Sequence, residues 1–236
     1  MSADTGWIDT ARRVLPRFLR LSRRTAPTWH LTSIADIDPD RLAEDGVEAF
    51  IWDVDGTLMS HHADRVDPSL AARFDQLLAD PRFRHAIVSN CQLPRFAGLG
   101  EIFPQLPIVL GFETPAGPAF RVLEGGVESR LGPGREHLPV LGTGDPGPEV
   151  APMRKPAAEL VDVALGQIGL DRPDNAVMVG DQYFTDIVSA NLAGARSIKV
   201  RTFDPPSFPG PVRYSQVFER GWVRLMRALG LATSGG

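Results

Sequence analysis

Two carboxylates two residues apart, Asp53 and Asp55, close the run Phe50-Ile51-Trp52-Asp53-Val54-Asp55-Gly56-Thr57-Leu58. The apolar residues ahead of Asp53 read as a buried strand, and the Asp-Gly pair as the turn that leaves it. Both acids can then reach one pocket. Carboxylates at the end of a buried strand are unfavourable unless a cation or a proton accompanies them. On its own the run also fits a structural Asp-Gly turn, so its company matters.

That company consists of polar groups at other element ends. Ser89-Asn90 follows the apolar Ala86-Ile87-Val88, Lys155-Pro156 opens a helical pattern, and Gly180-Asp181-Gln182-Tyr183-Phe184-Thr185-Asp186 follows Val177-Met178-Val179. Lys155 is one of only two lysines among 25 basic residues, so a compact ammonium was kept here where arginine is the rule. Lys199, the other, falls at a strand end and reads as an ordinary solvated charge.

The elements that must position these groups alternate. Short runs rich in aliphatic and β-branched residues at 48–54, 84–89, 107–110, 176–180 and 197–200 read as strands. Between them, 68–79, 94–103, 156–168 and 185–192 carry apolar residues at helical spacing, three of them opening on proline. The rhythm predicts an α/β fold: a doubly wound, three-layer Rossmann-like domain with a central parallel sheet, whose ligand site lies beyond the carboxyl ends of the strands. Asp53, Asp55, Ser89, Asn90 and Asp181 all fall there. Five stretches follow: a basic segment and approach over 1–46, core over 47–110, an insertion over 111–150, core again over 151–204, and an amphipathic helix with tail over 205–236. The insertion holds nine glycines and six prolines. It is expected to be a small lid, with a hairpin around 120–123 and 127–131, or else to lack regular structure.

In order and placement these four motifs resemble the haloacid dehalogenase (HAD) superfamily, whose first motif is an Asp-x-Asp-x-Thr run after the first strand. The likeness is nearer to its YqeG-type subgroup (subfamily IIIA), which includes phosphatidylglycerophosphate phosphatases. Gly180 to Asp186, the following Asn191-Leu192-Ala193-Gly194, the short path from Leu58 to Arg84 and the approach Leu31-Thr32-Ser33-Ile34 carry it. Gly56 stands where that subgroup usually has asparagine.

The resemblance implies a phosphatase. A phosphate monoester dianion repels nucleophiles, so its charge must be neutralised, an in-line attacker fixed and the leaving oxygen protonated. Asp53 would be the nucleophile, forming an aspartyl-phosphate, and Asp55 the acid and base. Ser89, Asn90 and Lys155 would bind the phosphoryl group. Mg2+ would take the Asp53 and Asp181 carboxylates and the backbone carbonyl of Asp55, with Asp186 supporting from behind. The substrate is then either phosphatidylglycerophosphate or a soluble sugar or nucleotide monophosphate. From a different class, the fold could serve as a non-catalytic interaction scaffold.

Composition narrows the partners. A net charge of −4 argues against a nucleic-acid binder, yet residues 1–30 hold six arginines and two aspartates. Near the C-terminus Phe218, Trp222, Leu225, Met226 and Leu229 share a helical face, with Arg220, Arg224 and Arg227 on the other side. At the N-terminus Val14, Leu15, Phe18 and Leu19 interleave with Arg13, Arg17, Arg20 and Arg24, interrupted by Pro16. These ends either pack on the domain or touch an anionic membrane surface. With no leader-like segment, no membrane span and a single cysteine, a cytoplasmic protein is expected, its membrane contact at most peripheral. His61 and His62 fall at the pocket mouth as substrate contacts or solvated loop residues, and Cys91 reads as packing.

Overall fold

The computed structural model describes residues 18–139 and 151–231. A helix described over residues 18–22 (α1) precedes β1 (Trp29–His30), α2 (Pro39–Glu44), β2 (Ala49–Trp52), α3 (Pro68–Ala79), β3 (Arg84–Val88) and α4 (Leu93–Ile102). There follow β4 (Ile108–Thr114), β5 (Gly117–Glu124), β6 (Val127–Leu131), β7 (His137–Leu138) and β8 (Ala151–Met153). The chain ends with α5 (Ala158–Gln167), β9 (Ala176–Gly180), α6 (Val188–Ala193), β10 (Arg196–Lys199) and α7 (Gly210–Ala228).

One sheet runs β1-β10-β9-β2-β3-β4-β5-β6-β7, with β8 also paired to β4. From β1 to β4 the pairs are parallel, and β2 lies between β3 and β9. All of β2 is buried, as a central parallel strand must be. Its side chains alternate between two apolar clusters. Phe50 and Trp52 join Phe74, Leu77, Phe96 and Leu99 from α3 and α4, whereas Ala49 and Ile51 join Leu160, Val161 and Ala164 from α5 and Ala190 from α6. Helices therefore cover both faces of the sheet, and the parallel strands β2, β3 and β9 end at one rim. The helix starts are locally determined: Pro68 opens α3 and the Asp67 carboxylate accepts the Ser69 N–H at 2.9 Å.

The expectation of a parallel sheet with a lid over 111–150 needs correction. The sheet is mixed, because β4 to β7 continue it with antiparallel pairs. The predicted hairpin exists as β5 and β6, but as sheet strands. Glycine and proline content misled because it reflects tight turns: Gly125 and Gly126, both at positive φ, form the two-residue loop between Glu124 and Val127. Gly111 within β4 lets α5 close in, since a Cβ there would stand 2.7 Å from Leu160 Cδ2. Residues 140–150 of that stretch, and Arg13, Val14, Leu15 and Arg17 of the N-terminal pattern, lie outside the described residues.

Candidate active site

The loop after β2 is held in place from both ends. Asp53 N–H extends the ladder to the Val179 carbonyl at 2.9 Å, and the Val54 carbonyl accepts from Thr57 and Leu58 as the chain turns. Gly56 makes that turn at φ +85°, and a Cβ there would meet the Phe208 ring at 2.8 Å and Asp181 Oδ2 at 3.1 Å. Both demands favour glycine: the left-handed backbone and the crowding beside Asp181.

Asp53, Asp181 and Asp186 converge, with one carboxylate oxygen from each within 4.8 Å of the others, and all three are buried. The Lys155 ammonium lies between two of them, 2.5 Å from Asp53 Oδ1 and 2.7 Å from Asp186 Oδ1. Thr57 Oγ1 donates to Asp53 Oδ2 at 3.1 Å. Lys155 is itself positioned by Asn90, whose Oδ1 accepts the Lys155 backbone N–H at 2.7 Å. Asp186 arrives on a π-helical turn, Tyr183–Ile187, where the expected helix over 185–192 begins with a wider coil before α6. Its Oδ2 accepts the Gln182 N–H at 2.9 Å. Gly180 makes room, because a Cβ there would fall 2.3 Å from Asp186 Cβ.

Electrostatically the cluster is one positive charge against three carboxylates. Burial pushes the Asp53 carboxyl up to about 7 despite Lys155, and burial with Asp186 and Asp53 as neighbours raises Asp181 well above the carboxylate range. Neither Asp181 oxygen has a well-formed hydrogen bond, and the Thr202 hydroxyl opposes the upward shift without reversing it. Hard oxygen donors, surplus negative charge and unpartnered buried carboxylate oxygens fit a divalent cation such as Mg2+.

These groups border a cavity of about 400 Å³ lined by Asp53, Asp55, Ser89, Asn90 and Lys155 among others. Of the residues expected at the site from sequence, Asp53, Asp55, Ser89, Asn90 and Lys155 line this cavity, whereas Asp181 and Asp186 stand in the carboxylate cluster with Asp53 and are not among its lining residues. Asp55 carries a partner that sequence reasoning missed: Arg95 on α4 donates to its Oδ1 at 2.8 Å, and the His62 N–H donates to the same oxygen at 3.1 Å. Arg95 is one arginine among many, and no spacing rule singles it out. Arg154, beside Lys155 in the chain, also lines the cavity, as do Gln182, Thr185, Phe208, Val212 and Ser215, the last two from α7. His61 lines it too, its ring stacked on Phe208 with centroids 4.7 Å apart. Burial pushes the Cys91 thiol up to about 11, which agrees with a packing role.

Lys199 is not the solvated charge expected. It is buried, donates to the Val200 carbonyl and sits 4.8 Å from the Tyr183 ring centroid. The C-terminal pattern is also divided differently: α7 buries Gln216, Glu219, Val223 and Met226 and leaves Tyr214, Val217, Phe218, Leu225 and Leu229 exposed. Trp222 packs against Phe18 of α1 and donates to Ser22 Oγ at 2.9 Å. Among the described residues no helix is long and apolar enough to cross a membrane.

A family model described as HAD-hyrolase-like matches residues 152–202, the stretch that carries Lys155, Asp181 and Asp186. The match supports a hydrolase of the HAD superfamily. No curated protein matches the chain significantly. Among solved structures, an uncharacterized protein from Listeria monocytogenes serotype 4b is similar at 19% identity over 67% of this chain and 83% of that one, with a TM-score of 0.41.

Proposed function

We propose that the chain is a magnesium-dependent phosphomonoester hydrolase working through an aspartyl-phosphate on Asp53. The observation that carries this reading is the Lys155 ammonium bridging Asp53 and Asp186 beside a buried Asp181 carboxylate that has no ion pair within 4.0 Å among the described residues, with Asp53 and Lys155 lining an open cavity.

In the proposed reaction an Asp53 carboxylate oxygen attacks phosphorus in line while the bond to the leaving oxygen breaks, and Asp55 gives that oxygen its proton. Water then attacks the acyl phosphate, Asp55 takes the water's proton, and Asp53 and inorganic phosphate are released. Lys155, with the Ser89 hydroxyl and the Asn90 segment, holds the phosphoryl oxygens as charge moves onto them. Arg95 and the His62 N–H fix one oxygen of Asp55 and leave the other free to exchange the proton. Asp53, Asp181 and the Asp55 carbonyl would hold Mg2+, with Asp186 anchoring Lys155 beside it. Bound magnesium supplies charge neutralisation of the carboxylates and of the incoming phosphate.

For substrates, the reading extends to phosphatidylglycerophosphate or a soluble sugar or nucleotide monophosphate. The lipid alternative is favoured by α7, where Tyr214, Val217, Phe218, Leu225 and Leu229 are exposed beside an arginine row and continue from residues that line the cavity. Contact with anionic membranes would then be peripheral, and its test is co-sedimentation with anionic liposomes at low salt.

Hydrolysis of a generic aryl phosphate, with and without Mg2+, tests the catalytic reading. Metal-dependent turnover lost in Asp53→Asn is expected. An inactive wild type would replace the enzyme by a non-catalytic scaffold, and turnover retained in Asp53→Asn would overturn the aspartyl-phosphate on Asp53.

A further inference from the structure

A second cavity, of about 520 Å³, shares no lining residue with the catalytic one. Its walls are the ends of β1 and β10 and the C-terminal half of α7, and it is lined by His30, Lys199, Arg201, Arg220, Arg224 and Arg227, with Thr202, Tyr183 and Val223 between them. No acidic residue lines it. Among the described residues none of the five cations has a carboxylate ion-pair partner within 4.0 Å. Behind the cavity Lys199 faces buried acids from within the fold, Asp181 first and then Glu219 and Asp186, and Glu219 accepts the Phe184 N–H at 2.6 Å.

The arrangement is built rather than incidental. Lys199 is buried at the floor, on the residue of β10 paired with Gly180, immediately before Asp181. Tyr183 is buried under it and carries Arg227 against its ring at 5.2 Å. Arg220, Arg224 and Arg227 project from one side of α7 at i, i+4 and i+7, a span of roughly 10 Å at the helical rise. Arg201 stands opposite on the strand extension. His30 registers the field: its imidazole is held below the ordinary value, by burial first and then by Lys199, Arg227 and Arg201.

Like charges gathered around a cavity repel one another and raise the energy of the apo protein, which an anion relieves. Guanidinium forks match phosphate oxygens bidentately, and the spread of cations exceeds what one phosphate can reach. We propose that this cavity is a second, non-catalytic anion site that takes a ligand carrying two or more phosphate charges. It does not rest on the catalytic reading: Thr202 and Lys199 also face Asp181, but the arginines that would hold the ligand, Arg201, Arg220, Arg224 and Arg227, line this cavity and not the catalytic one. Its chemistry is shared by a soluble polyphosphorylated metabolite and a phosphorylated lipid headgroup.

The test is calorimetric titration of inorganic pyrophosphate into metal-free protein, comparing wild type, Asp53→Asn and the triple variant Arg220→Ala/Arg224→Ala/Arg227→Ala. All three arginines are exposed, so the triple variant retains the packing of α7 on Gln216, Glu219, Val223 and Met226. Expected is binding in wild type and Asp53→Asn alike, weakened at least tenfold in the triple variant, with the His30 pKa rising on saturation in the first two proteins only. Binding that survives the triple substitution, or no binding by wild type at millimolar pyrophosphate, overturns the proposal. A parallel arm uses vesicles with and without phosphatidic acid. Arginine-dependent capture of the phosphatidic acid vesicles assigns the site to a lipid headgroup, and pyrophosphate binding without capture assigns it to a soluble ligand.

Discussion

Arg95 grips Asp55: its guanidinium donates to Asp55 Oδ1 at 2.8 Å and to the Ala63 carbonyl at 2.6 Å, which ties α4 to the loop after β2. The pair is mostly enclosed, with side chains 11% and 17% exposed, so the contact can hold a geometry that a solvated pair would not. Arg95→Ala should therefore lower kcat by about 10- to 100-fold, the range of a misplaced general acid, while KM for an aryl phosphate changes little. Combined with Asp55→Asn it should add almost nothing, because both substitutions act on one proton transfer. Full additivity in that double-mutant cycle would detach Arg95 from Asp55.

Lys155 has a different vulnerability. Its ammonium is buried between two carboxylates at 2.5 and 2.7 Å, a space that suits a compact point charge and not a planar fork. Lys155→Arg is expected to fail in catalysis nearly as badly as Lys155→Ala. In the metal-free protein Lys155→Ala should also lower stability by about 3–5 kcal/mol, since it leaves buried carboxylates uncompensated. Urea unfolding of the two variants separates the effects, and an arginine that restores turnover would contradict the geometry.

Asp181 should respond in the opposite direction. Its folded-state pKa is raised, so the unfolded chain releases the proton first and stability falls as pH rises above the ordinary carboxylate range. Asp181→Asn removes that penalty and should raise the Tm of metal-free protein at pH 8. Added Mg2+ should raise the Tm of wild type, by binding only the native state, and should do little for the variant. A metal-free Tm that falls in the variant, or equal responses to Mg2+, would remove Asp181 from the cation site.

What the sequence revealed follows a physical division. Strands and helices bounded by strong local signals, such as β9 over 176–180 and α3 over 68–79, were legible to the residue because apolar runs, Asp67 and Pro68 act over a few positions. That Asp53, Ser89, Lys155, Asp181 and Asp186 would come close together was legible because polar residues at the ends of parallel strands gather at one rim. The hairpin of β5 and β6 was half legible: its strands were found, but its destination on the sheet edge depends on pairing β5 with β4, a long-range choice. Arg95 and Lys199 were not legible. Each is defined by what the fold brings opposite it, Asp55 in one case and Tyr183 with four arginines in the other.

The last expectation concerns pH and lies outside the site. Trp52 Nε1, which can only donate, points at His85 Nδ1 at 3.2 Å, so that nitrogen must accept and the proton must sit on Nε2, facing the Leu77 carbonyl at 3.0 Å. Protonating Nδ1 would set two donors against each other in the core. Burial accordingly depresses the imidazole pKa to about 4, partly offset by the Leu77 carbonyl. Because the folded value is lower than the unfolded one, near 6.5, the unfolded chain binds more protons between those limits. The stability that His85 contributes is thus complete above pH 6.5 and is lost as pH falls toward 4, amounting to roughly 2 kcal/mol between pH 7.5 and 5. In His85→Gln an amide can accept from Trp52 and donate to Leu77 without titrating, so urea unfolding should show a correspondingly smaller drop from pH 7.5 to 5 than in wild type. The same drop in both proteins would place the acid sensitivity elsewhere, in the carboxylates of the site.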